Sequence, residues 1–257
     1  MPIDFHSEQN RNSYTSRNVH DSWTNRVNRF TTVRGSRVAD IGCGGGIYTK
    51  KLAEMDAAEV VGVDSSAKML EAAQESCSGY RNVRFETGDA NGTSLASGYY
   101  DLVIERALIH HLTDLRSCFD EAYRVIREGG KLLIQDRTPE DCLLPGGAGH
   151  IRGTFFEMYP HLAAIETARR HAAEDVIRAV EEAGFAFSRE DKLWEIRKTY
   201  ETFDELAEEL KRRRGRSILH ELSDGEIDEL IARLRTIVPE GPIVEKDRWT
   251  VWVAVKK

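Results

Sequence analysis

The chain has 257 residues, 40% of them apolar, and a formal charge of −7, which suits one large α/β domain or a core domain with an inserted cap. That charge argues against broad electrostatic capture of nucleic acid or of an anionic membrane, and no apolar run approaches the roughly 18–20 residues a spanning helix needs. The four cysteines (Cys43, Cys77, Cys118, Cys142) show no CxxC pair or zinc spacing, and Met1 to Asn28 lacks the apolar run of a secretory signal, so a cytoplasmic protein with reduced thiols is expected.

Val19, Trp23, Val27 and Phe30 recur at helical spacing and predict an amphipathic helix laid against the rest of the protein. From Ser36 the texture changes to short apolar runs alternating with helical patterns. Arg37 to Ile41 predicts a first strand that ends at a glycine cluster, with a helix through Leu52. Glu59 to Asp64 predicts a second strand, and Ser65-Ser66 can cap a helix carrying Met69, Leu70 and Ala73 on one face. Val83 to Thr87 and Tyr99 to Ile104 follow as the third and fourth strands. Leu115, Cys118, Phe119, Ala122 and Ile126 mark another helix, with Gly129-Gly130 as its stop and Lys131 to Gln135 as a fifth strand. Such alternation implies βαβ units, a mostly parallel sheet and right-handed crossovers.

The last third is less regular. An irregular aromatic stretch runs through Phe155, Phe156 and Tyr159, and a helix with Val176, Ile177 and Val180 ends at Gly184. Leu193 to Tyr200 and Trp249 to Val255 look like strands. Between them lie one helical pattern with Phe203, Leu206, Ala207 and Leu210, and another opening with the capping box Ser223 to Glu226. Lys211 to Arg216 is the one basic run, expected as a solvated helix end rather than a contact for an anionic substrate or RNA.

The chemistry concentrates in Asp40-Ile41-Gly42-Cys43-Gly44-Gly45-Gly46, just after a strand and opening a helix. Glycines there permit a tight turn and let a ligand approach the backbone. Dinucleotide enzymes use a similar loop, but position 47, where their third glycine falls, is Ile. Asp40 would repel a pyrophosphate, whereas it suits a ligand carrying an ammonium and a sulfonium. Asp64, at the end of the second strand, can accept hydrogen bonds from both hydroxyls of an adenosine ribose. After the third strand, Gly88-Asp89-Ala90 can meet adenine, Asp89 accepting from the amino group and the Ala90 N–H donating to the ring.

In order and spacing, Asp40 to Gly46, Val60 to Asp64, Gly88-Asp89-Ala90, Tyr100 to Val103 and Arg127 to Lys131 resemble the motifs of class I S-adenosylmethionine-dependent methyltransferases. The similarity is greatest to the small-molecule group that includes ubiquinone and menaquinone biosynthesis enzymes, and it spans roughly Ser36 to Arg137. The resemblance implies a doubly wound, Rossmann-like α/β fold of seven strands in the order 3-2-1-4-5-7-6, strand seven antiparallel, with helical cap insertions. It implies S-adenosyl-L-methionine as cofactor, contacted by Asp40, Gly42, Cys43, Gly44, Asp64, Ser65, Met69, Gly88, Asp89, Ala90, Glu105 and Arg106. Tyr14 and Arg17, in an amino-terminal segment (1–35) expected to fold over the cofactor, would touch its methionine carboxylate.

The methyltransferase domain would run over 36–257. Strands six and seven normally form a hairpin, so the helical insertion 201–247 and the loop 138–172 are expected to cover the substrate. The alternative is an inert elaboration or a homodimer surface. The expected reaction is in-line methyl transfer to a small-molecule acceptor, with His111 and Glu105 as catalytic candidates and a packing or capping role as the alternative for the pair His110 and His111. No Asn/Asp-Pro-Pro-aromatic motif follows the fourth strand and no Pro-Cys pair occurs, which weighs against adenine-amino and cytosine-C5 methylation; no nucleic-acid or membrane partner and no metal site are expected. Two other functions stay open at this stage: an NAD-dependent oxidoreductase and a non-catalytic S-adenosylmethionine-binding protein.

Overall fold

Valine-rich runs that bury both faces make the central strands, as a sheet covered by helices on either side requires. The computed structural model describes residues 19–213 and 215–257. Among these, the strands are β1 (Arg37–Ile41), β2 (Glu59–Asp64), β3 (Val83–Thr87), β4 (Tyr100–Arg106), β5 (Ile126–Asp136), β6 (Ala186–Tyr200) and β7 (Ile243–Val255). They form one seven-stranded sheet in the order β3-β2-β1-β4-β5-β7-β6. Ala39 of β1 lies opposite Val61 of β2 and Val103 of β4 in parallel register, whereas β7 runs antiparallel to β5 with Leu133 opposite Val253. The expected order and the direction of the seventh strand are both observed.

The helices are α1 (Asp21–Phe30), α2 (Ile47–Glu54), α3 (Ala67–Ser76), α4 (Leu115–Val125), α5 (Pro139–Cys142), α6 (Ile151–Met158), α7 (Pro160–Ala168), α8 (Ala173–Glu182), α9 (Phe203–Lys211) and α10 (Asp224–Arg235). Ser66, not Ser65, caps α3, its Oγ accepting from the Met69 N–H. The capping box of α10 is present with both of its hydrogen bonds.

Three expectations change. Gly129-Gly130 does not stop α4, which ends at Val125. Ile126 is already extended, and the Gly129 N–H donates to Lys256 O at 2.8 Å while the Lys256 N–H donates to Gly130 O at 3.0 Å, so the glycine pair belongs to β5. The aromatic stretch is helical: α6 carries buried Phe155 and Phe156, and Pro160 opens α7, where its missing N–H costs nothing. The basic run is only partly solvated: Arg213 donates to Leu219 O and Leu222 O, and buried Arg216 pairs with Glu245 at 2.6 Å.

The chain divides into two units. Residues 19–136, with His171–Lys192 and Thr250–Lys257, form the first; its core gathers Val61, Val103, Leu132, Phe119, Val176 and Trp252. Arg137–Arg170 and Leu193–Trp249 form the second, whose core holds Phe155, Leu162, Leu206, Leu210 and Leu230. The second unit takes in residues of both segments 138–172 and 201–247.

Within the first unit, α1 lies against the sheet as its spacing predicts, burying Trp23, Val27 and Phe30. Trp23 donates its indole N–H to Gln135 Oε1 at 2.8 Å and meets the edge of the Tyr48 ring, while Lys131 Nζ donates to Phe30 O.

Candidate functional site

The loop after β1 folds back on β2. The Gly42 and Cys43 N–H groups both donate to Val63 O, at 2.8 and 3.0 Å, and Gly42, Gly44 and Gly46 all have positive φ. Two of these glycines answer to packing: a Cβ on Gly42 would sit 2.8 Å from Leu108 Cδ1, and one on Gly46 2.9 Å from Ala73 Cβ. At Gly44 the nearest atom would be Met69 Cε at 3.4 Å, so this stretch of backbone stays open to approach.

Asp64 ties the loop to the helix that follows. Its Oδ2 accepts from the Gly44 N–H at 2.8 Å and its Oδ1 from the Ser66 N–H at 2.9 Å, and the carboxylate remains partly exposed. Exposed Ser65 makes no such cap.

Asp40 is buried, and Thr49 Oγ1–H donates to its Oδ2 at 2.6 Å. Burial raises its carboxyl to about 6, against the opposing pull of the Thr49 hydrogen bond and of the Arg106 charge. Arg106 stacks on Tyr48 with its guanidinium carbon 3.9 Å from the ring centre. Thr49, Tyr48 and Gln135 were not foreseen. The first two sit in the opening turn of α2, where any side chain following a glycine loop is a candidate, but nothing local points to Gln135.

The other expected contacts fall as follows. Cys43 and Met69 are buried, with the Cys43 sulfur turned toward Gly62 and its main chain on the loop. Gly88, whose N–H donates to Asp64 O, leads into exposed Asp89, which accepts from the Asn91 N–H at 2.9 Å, and into Ala90. Glu121 holds the loop beyond, accepting from the Thr93 N–H at 2.7 Å and its hydroxyl at 2.5 Å. Tyr14 and Arg17 lie outside the described residues.

The two histidines separate. His110 Nδ1 lies 2.8 Å from Oδ2 of buried Asp136, which fixes that ring as an anchor. His171 Nε2 lies 3.0 Å from Ile109 O and 2.9 Å from Leu112 O, holding the same short turn. His111 is exposed, its ring centre 4.0 Å from that of His110.

Glu105 departs from its expected role. Its side chain is 0% exposed and faces α4, where the Cys118 thiol donates to Oε1 at 3.5 Å. Burial pushes its carboxyl up to about 8. The Glu105 carboxyl has no exposed surface at which to take a proton, so Glu105 is not proposed as the proton acceptor. Because its folded value lies above its unfolded one, Glu105 stabilises fully below about pH 4.5, and that stability drains away as pH rises toward 8. Glu105→Gln is therefore expected to flatten the decline in melting temperature between pH 5 and pH 8, a gain on the order of 2 kcal/mol at the alkaline end. Parallel pH–melting curves for the two proteins check this.

A sheet of this order, with a glycine loop after β1 and carboxylates at the ends of β1 and β2, is the arrangement that the resemblance to class I S-adenosylmethionine-dependent methyltransferases implies. Residues 39–134 match the family model described as a methyltransferase domain. The methyltransferase YcgJ of Bacillus subtilis, itself uncharacterized, is 33% identical over 118 residues, covering 45% of this chain and 46% of the relative. Phosphoethanolamine N-methyltransferase 3 of Arabidopsis thaliana is 31% identical over 146 residues, covering 56% of this chain and 30% of the relative. The chain thus spans less than half the length of these curated relatives. The solved structure of YcgJ superposes with a TM-score of 0.58 at 18% identity, covering 93% of this chain and 99% of that one, which establishes the shared fold.

Proposed function

We propose that the protein transfers the methyl group of S-adenosyl-L-methionine to a small-molecule acceptor. The observation that carries this reading is the pair of carboxylates at the ends of β1 and β2, one buried behind the glycine loop and one hydrogen-bonded to it. Their negative charge favours a cationic ligand and disfavours the pyrophosphate of NAD. On this reading Asp64 accepts from the ribose hydroxyls, Asp89 and Ala90 receive adenine, and the open Gly44 backbone lies along the methionine portion.

When bound, the cofactor supplies an already activated sulfonium leaving group. The protein's own share is then mainly alignment and exclusion of water, and a proton acceptor is needed only for a protonated acceptor atom. His111, exposed on a turn pinned through His110 and His171, is the residue we assign to that role. A small acceptor agrees with the relative named for phosphoethanolamine.

Calorimetric titration tests the reading: S-adenosylhomocysteine is expected to bind and NADH is not. A pH series with S-adenosylmethionine adds a sharper check. Asp40 loses its charge as pH falls through about 6, so affinity is expected to drop about tenfold from pH 7.5 to pH 5. Asp40→Asn should bind weakly and without that dependence. A flat wild-type profile would remove Asp40 from the proposed site.

A further inference from the structure

Within the second unit, the loop 145–150 meets β6 and β7 around an open cleft of about 480 Å3, lined by Pro145, Gly147, Gly149, His150, Trp194 and Lys246. That volume falls within the roughly 300–1,000 Å3 of small-molecule sites. Strand alternation supplies one side of it. Glu245 and Asp247 turn inward and pair with Arg216 and Arg152, which leaves Val244 and Lys246 exposed on β7. On β6, Leu193 and Glu195 are buried on either side of Trp194, which is 45% exposed.

The loop is held from two directions. The Lys246 N–H donates to Gly149 O at 2.7 Å. A Cβ on Gly146 would fall 2.3 Å from Thr154 Oγ1, and one on Gly153 2.3 Å from Gly146 N, so the loop and α6 touch through bare backbone. His150 forms the buried part of the wall. Pro145 O can only accept, so its 3.2 Å approach fixes the imidazole proton on Nδ1. The ring meets that of Trp194 at 80° with centres 5.4 Å apart, which steadies the indole. Nε2 of His150 has no partner among the described residues, so the protein's own groups do not saturate this wall.

Charge decides the class of occupant. Lys246 makes no ion pair or side-chain hydrogen bond among the described residues, and no carboxylate lines the cleft. An exposed indole beside an uncompensated ammonium matches a flat ring that carries an acid. We propose that this cleft binds an aromatic carboxylate, its ring against Trp194 and its acid group on Lys246. The site lies wholly in the second unit and does not depend on the methyltransferase reading.

The test titrates the full chain with three probes at constant ionic strength: naphthylacetate, the uncharged naphthylacetamide, and cyclohexylacetate, which keeps the acid without a flat ring. Calorimetry is expected to show saturable binding of naphthylacetate and binding about tenfold weaker for each of the other two. Trp194→Ala should weaken naphthylacetate about tenfold, and Lys246→Met should bring it down to the affinity of the amide. Both side chains are exposed, so the melting temperatures of the variants should stay within about 2 °C of wild type. S-adenosylhomocysteine affinity should be unchanged in both. No saturation by naphthylacetate, equal binding of acid and amide, or a naphthylacetate affinity within threefold of wild type in Trp194→Ala would each overturn the site. Failure of S-adenosylhomocysteine to bind the wild type would sink the cofactor reading alone.

Discussion

Glu166→Gln is expected to destabilise the protein by about 3–5 kcal/mol, a fall of roughly 10 °C in melting temperature. Burial alone would raise the Glu166 carboxyl, yet Arg170, Arg152, Arg137 and Arg169 outweigh that and hold it well below the usual carboxylate range. Glutamine keeps the volume and one acceptor but removes the charge around which four guanidiniums gather. Because the folded-state value is depressed, the stability Glu166 supplies is present above about pH 4.5 and is lost as pH falls below it. The gap between variant and wild type should therefore be full at neutral pH and narrow in acid. Thermal melts at pH 7 and pH 4 measure both, and a neutral-pH difference under 2 °C would refute the account.

The second large effect is expected at Asp64. Asp64→Ala should weaken S-adenosylhomocysteine binding about 100-fold, the scale on which charge-assisted hydrogen bonds act. Its two oxygens already hold the Gly44 and Ser66 N–H groups, so the side chain is fixed before ligand arrives and pays little entropy on binding. Asp64→Asn should be nearly as damaging, because an amide NH2 in place of either oxygen would face a backbone N–H. Ser65→Ala, one residue along and exposed, should bind normally. Calorimetry on the three variants decides it, and an Asp64→Ala affinity within threefold of wild type would exclude the ribose role.

The parallel core was legible because β1, β2 and β4 are short valine- and isoleucine-rich runs set off by turns, and both their faces are buried. The Asp40, Gly44 and Asp64 geometry was legible for a related reason: strand ends and glycines are fixed by local spacing. Long-range partners were not. The start of β5 depends on Lys256 pairing with Gly129 and Gly130, which no local pattern carries. The first half of β6 was missed because Arg189, Glu190, Asp191 and Lys192 are charged residues on a strand at the sheet edge. Glu105 looked like a site residue because it stands just beyond the expected fourth strand, Tyr99 to Ile104. The alternation of side chains along β4 instead turns it to the core, against Cys118.

The strand order also bears on how the sheet assembles during synthesis. β1 to β4 come from one continuous stretch of chain, and their contacts close short loops. The outer neighbour of β5 is β7, and roughly 110 residues separate Asp136 from its partner Thr250, so this pairing closes late. Until Thr250 to Val255 leave the ribosome, the newly made β5 keeps an unpaired edge of backbone N–H and C=O groups. The growing polypeptide passes through a stage open to strand-to-strand aggregation, which the finished molecule no longer has at that edge.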